Sequence, residues 1–140
     1  MATRSRIGIE NEDGTVSSIY CHWDGYPDHN GKILVAHYSD REKLKELIDL
    51  GAISSLRKNV INTSGTHSFV SPQEDVTVAY HRDRGEDLQE ARIDESIKAY
   101  AESDYEEYGY VFTKYSEWKV VDGTIKSVLD ILNGEGEGEE

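Results

Sequence analysis

Cysteine, methionine and proline are scarce in this chain, and positive charge is outnumbered: 140 residues carry one Cys, one Met, two Pro, and 15 Lys and Arg against 28 Asp and Glu. A single cysteine, Cys21, excludes an intramolecular disulfide and fits a reducing compartment. The net charge of −13 argues against direct nucleic-acid binding, which needs clustered Lys and Arg to displace the counterions of phosphates. No apolar run approaches membrane length, and the opening Met-Ala-Thr-Arg-Ser-Arg has no apolar signal core. The expectation is a cytoplasmic protein without membrane contact. There is no Walker loop, GxGxxG, GxSxG or HExxH, and the adjacent Glu106 and Glu107 suit a solvated patch better than acid–base work. These absences leave no catalytic residue, metal or cofactor to name.

The chain length suits one domain able to bury a continuous core, expected over residues 1–133. The tail 134–140, Gly-Glu-Gly-Glu-Gly-Glu-Glu, has no apolar residue, repels itself and is expected to be disordered. Ile7 and Ile9 alternate with polar residues, Asn11-Glu12-Asp13-Gly14 is a turn signal, and the strand that follows, Val16 to Trp23, sets Ile19, Cys21 and Trp23 on one face. A short helix is predicted from Lys32 to Tyr38. Ser39 then reads as an N-cap with Glu42 at the capping-box position, for a helix buried through Leu44, Leu47 and Ile48 and ended by Gly51. Residues 52–75 read as irregular, with Val60-Ile61 and Phe69-Val70 as anchors. Val76, Val78 and Tyr80 alternate as a strand; Ile93, Ile97, Tyr100 and Ala101 space as a helix over 88–102. Tyr108–Thr113 and Glu117–Val121 form a second hairpin. Ile125, Val128, Leu129 and Leu132 complete an amphipathic helix. The fold class is α+β: an antiparallel sheet of about five strands, with about three or four helices packed mainly on one face.

Two clusters could carry chemistry. Tyr20-Cys21-His22-Trp23-Asp24-Gly25-Tyr26-Pro27 ends a strand and enters a loop, where functional groups are often displayed. It reads either as a structural corner or as a recognition loop presenting aromatics and a carboxylate. As a corner, Trp23 sits in the core, Asp24 caps, Gly25 supplies an unusual φ and Pro27 fixes the exit. His22, Asp24, Asp28 and His29 are metal-ligand types, but their spacing matches no established pattern. Cys21 and His22 are pointed apart by strand alternation. The second cluster is His81-Arg82-Asp83-Arg84-Gly85-Glu86. Its arginines could clamp a phosphate or carboxylate, aided by a helix starting after Gly85, or could pair with the acids beside them.

Through these clusters the chain resembles an uncharacterised family of small phage and prophage proteins. The residues that carry the likeness are Ala2-Thr3-Arg4-Ser5-Arg6-Ile7, the Tyr20–Pro27 segment, Gly51-Ala52-Ile53-Ser54-Ser55-Leu56, His67-Ser68-Phe69, and Val78-Ala79-Tyr80 leading into Arg82-Asp83-Arg84-Gly85-Glu86. It spans residue 2 to about 120 and marks a family rather than an activity. The resemblance implies a viral or prophage origin and a role in the bacterial host cytoplasm during infection. Together with the negative charge, it leads to two expectations. One is a non-enzymatic acidic binder of a host protein with a basic surface, such as an anti-phage defence protein, which it would inhibit or redirect. The other is a nucleotide-binding or sequestering protein, with Trp23 and Tyr26 stacking a base and Arg82 and Arg84 holding phosphates. The candidate binding residues are Trp23, Asp24, Tyr26, Arg82, Arg84 and Glu86, and self-association is left open.

Overall fold

The computed structural model describes residues 3–61 and 67–132; the predicted disordered tail at 134–140 lies outside the described residues. The predicted first hairpin is present as β1 (Ser5–Glu10) and β2 (Val16–Cys21), antiparallel from Ser5↔Cys21 to Glu10↔Val16. Its turn is tied by Asp13, whose Oδ1 accepts both the N–H and the hydroxyl of Thr15. The second hairpin is β6 (Tyr108–Phe112) and β7 (Trp118–Val121). Between and after them lie β3 (Ile53–Ser55), β4 (Val78–Ala79), β5 (Arg92–Asp94) and β8 (Ile125–Ser127).

The sheet runs β4-β3-β2-β1-β6-β7-β8. Because β1 occupies one edge of β2 along its whole length, β5 shares the other edge with β3, pairing at Val16, Ser17 and Ser18. The α+β class stands, but the expected all-antiparallel arrangement is corrected. The contacts of β1 with β6 and of β2 with β3 are parallel, so the two hairpins meet through a crossover. Among the described residues, eight strands replace about five. The unforeseen β3, β5 and β8 have three residues each, too short for alternation to show.

Alternation divides the sheet into two faces. Ile7, Ile9, Ile19, Cys21, Tyr110, Phe112, Trp118 and Val120 are buried on one, beneath α1 (Lys32–His37), α2 (Arg41–Asp49) and α5 (Val128–Leu132). The other face holds a smaller cluster, where Tyr100 of α4 (Ile97–Glu102) covers Val16 and Val111. α2 buries Leu44, Leu47 and Ile48 as predicted, and Gly51 follows it. Its N-cap is Asp40 rather than Ser39: Asp40 Oδ1 accepts the Glu42 N–H at 3.0 Å, while Ser39 Oγ donates back to the Val35 carbonyl.

The predicted helix over 88–102 is confined to α4. The open edge of β2 captures residues 92–94 as β5, and Arg92 locks that segment by bonding Asp94, Ser103 Oγ and the Asp104 carbonyl. Ser96 caps α4 by accepting the Ala99 N–H. Ile93, placed on the helix stripe by spacing, is 68% exposed. Ile125 likewise belongs to β8, not to the last helix. The strand expected over 76–80 narrows to β4, because Tyr80 already opens α3 (Tyr80–Arg84).

Candidate functional site

The strand that carries the first cluster ends at Cys21, two residues earlier than alternation suggests. His22 and Trp23 donate their N–H groups to the carbonyls of Ile53 and Ser54 on β3, and Asp24 then turns the chain at φ 57°. The turn rotates Trp23 out of the core. It is 42% exposed, edge-on to the His22 ring at 4.7 Å, which corrects both its placement beside Ile19 and Cys21 and the core position of the structural-corner reading. Tyr26 is 40% exposed, and Asp24 is half-buried beside them. Pro27 opens a π-helical turn, Pro27–Gly31, that runs into α1, as expected of the exit.

The loop is held rigidly from beneath. Gly25 is needed for close approach rather than for an unusual φ: a Cβ there would lie 2.7 Å from Ser5 Cβ and 2.9 Å from the Thr3 carbonyl. Its N–H donates to Thr3 and its carbonyl accepts the buried Tyr110 hydroxyl at 2.6 Å. Asn30, fully buried, sends Nδ2 toward Ser5 Oγ, Cys21 Sγ and the Trp23 carbonyl, and its own N–H reaches the carbonyls of Asp24 and Tyr26. Burial also pushes the Cys21 thiol up to about 11, keeping it protonated and unreactive at neutral pH.

The second cluster is built inward. Arg82 and Arg84 stand in the last turn of α3, and Gly85 closes that helix in the left-handed region at φ 78°. The helix therefore ends at Gly85 where one was expected to begin, and the anion site at its N-terminus is absent. Arg82 donates to the carbonyls of Val60 and Thr77 and forks onto the Asp83 carboxylate. Asp83 accepts in addition the Ala79 N–H at 2.7 Å and His67 Nε2 at 3.2 Å. The Gln73 N–H points at His67 Nδ1, which makes Nδ1 the acceptor and places the His67 proton on Nε2, toward Asp83. Burial alone would raise the Asp83 carboxyl, but the bonds from Arg82, Ala79 and His67 and the Arg82 charge hold it below the ordinary aspartate range. Arg84 lies over the Phe69 ring at 4.7 Å and approaches Glu86 at 3.3 Å.

The candidate residues thus divide. Trp23, Asp24 and Tyr26 are displayed together, and Glu86 lines a small cavity with Tyr20, whose hydroxyl meets His22 Nδ1 at 2.8 Å beside Trp23. Arg82 is engaged by the fold itself, at the carbonyls of Val60 and Thr77. Tyr20, Tyr80 and His67 lie in segments that the sequence marked, but were not among the candidate binding residues. Tyr20, on the non-core face of β2, and His22, just past its end, were recoverable as alternate residues of the strand pattern; the bond between His67 and Asp83 has no local signal. Among the described residues, a cavity of about 870 Å³ lies at the β1–β2 turn, and its Arg41 is already bonded to the carbonyls of Glu10 and Thr113. It contains none of the candidate residues. No protein family, curated protein or solved structure matches the chain.

Proposed function

We propose that this is a phage-encoded, non-enzymatic binding protein whose 22–26 loop docks on a basic surface of a host protein and inhibits or redirects it. The observation that carries the reading is the pairing of two large exposed aromatics, Trp23 and Tyr26, with a backbone fixed from below by Gly25, Asn30 and Tyr110. Aromatic anchors on a pre-organised segment lose little entropy on binding, which is how a few residues come to dominate an interface. The net charge of −13 supplies long-range attraction to a basic partner and disfavours acidic ones.

The nucleotide reading asks Arg82 and Arg84 to hold phosphates of a nucleotide whose base stacks on Trp23 and Tyr26. Arg82 instead spends its donors on Val60, Thr77 and Asp83, and Arg84 rests on Phe69, which favours the protein partner. The test is capture from host lysate by the tagged chain at moderate and high salt, alongside Trp23→Ala and Tyr26→Ala. One stoichiometric host protein, weakened by salt and lost in both variants, is the expected result. Capture that ignores both substitutions would remove the loop from the reading, and saturable nucleotide binding in its place would reverse the choice of ligand.

A further inference from the structure

We propose that the cavity between Tyr20 and Tyr80 receives an arginine side chain of the basic partner, with the guanidinium against the phenol rings and the Glu86 carboxylate. This rests on the reading of the neighbouring loop as a protein-binding surface and names the group that surface would seize.

The cavity measures about 150 Å³ and is lined by Tyr20, Ala52, Tyr80, Glu86 and Gln89. Pockets for drug-sized ligands run to roughly 300–1,000 Å³, so this one suits a single side chain. The lining residues bring two phenol rings, the small apolar Ala52, the Gln89 amide and the Glu86 carboxylate. That set favours a flat cation over an anion or an aliphatic group, and a guanidinium both stacks and hydrogen-bonds.

The walls are pre-formed. Ala52 donates its N–H to Gln89, Tyr80 donates to Ala52, and Glu86 donates to Tyr80, so four of the five residues are linked by backbone bonds. The fifth, Tyr20, is bonded to His22, whose ring carries Trp23, so the cavity lies beside the exposed aromatic anchor. The same chemistry is already used nearby, where Arg84 covers the Phe69 ring while touching Glu86. That contact is one 3.3 Å approach between side chains 55% and 44% exposed, a pair of small net worth that an incoming guanidinium can displace while Arg84 keeps Phe69.

The probe is N-acetyl-arginine methylamide, titrated into the ¹⁵N-labelled chain beside its norleucine counterpart. Saturable shifts at the amides of Ala52, Tyr80, Glu86 and Gln89 with the arginine probe alone are expected. Glu86→Gln and Tyr80→Leu should each weaken binding about two- to fivefold. Equal response to norleucine, or arginine shifts scattered over the acidic surface and indifferent to Glu86→Gln, would overturn the proposal. Because Glu86 is half-exposed, its variant keeps the test valid should Tyr80→Leu fail to fold. In host-protein capture, loss with Trp23→Ala but full retention with Glu86→Gln would refute the arginine seat and leave the docking loop standing. Retention in both would refute the two together.

Discussion

Asp83→Asn is the substitution that most directly tests how the second cluster is read. The Asp83 and His67 side chains are 4% and 3% exposed, and the carboxylate takes four bonds: two from Arg82, one from the Ala79 N–H and one from His67. An amide of the same shape has one acceptor oxygen, and its NH₂ must face Arg82 or the Ala79 N–H, donor against donor. Losing a buried charge-assisted network costs up to roughly 3–5 kcal/mol, and the one-third exposure of Arg82 trims this, to roughly 2–4 kcal/mol. For a chain of this size that lowers Tm by roughly 6–15 °C. The pH dependence has a definite sign. A carboxyl held below its ordinary value contributes stability that is whole above the unfolded-state pKa, near 3.8, and is lost as pH falls through the lower folded value. Denaturation by urea, followed through Trp23 and Trp118, should therefore show the full gap between wild type and variant at pH 7. The gap should still be present at pH 5 and should close below about pH 4. A gap under about 1 kcal/mol at pH 7, or one that persists unchanged in acid, would falsify the network as the source of stability.

The other expectations concern the loop and the thiol beneath it. Gly25→Ala drives a methyl to 2.7 Å from Ser5 Cβ and should cost roughly 1–3 kcal/mol in chemical denaturation; unchanged stability would mean that Thr3 and Ser5 do not clamp the loop. Cys21, buried and with its pKa pushed up to about 11, should resist iodoacetamide at pH 8 in the native protein and label quickly in guanidinium. Fast native labelling would contradict the sealed site.

What the sequence reveals depends on whether a bond is local. β1 with β2 and β6 with β7 were legible because alternation, turn residues and pairing all lie within a few positions. Asp40 displaced Ser39 as the cap of α2 because the two are neighbours of similar chemistry, and only the path of the backbone decides which side chain meets the Glu42 N–H. The parallel contact of β1 with β6 joins segments about a hundred residues apart and left no mark on either period.

The same distinction explains the two clusters. The prominence of the Tyr20–Pro27 segment was visible, but the outward turn of Trp23 depends on β3 carbonyls at Ile53 and Ser54, beyond the reach of a strand pattern. Arg82 and Arg84 stood out as cations in an acidic chain, and side chains of that kind read equally as ligand clamps or as internal ties. What separates the readings is the position of Val60, Thr77, His67 and Phe69. The more of a cation's donors are taken by distant backbone carbonyls, the less of it is left for a ligand, and by that measure Arg82 belongs to the fold. Glu86 is tied to the fold through its backbone, at Tyr80 and His81, whereas its side chain makes only the Arg84 contact among the described residues and lines a cavity with Tyr20. Under the proposed arginine seat, the cluster that drew attention for its positive charge would act on a partner through its carboxylate, in keeping with the sign of the whole chain.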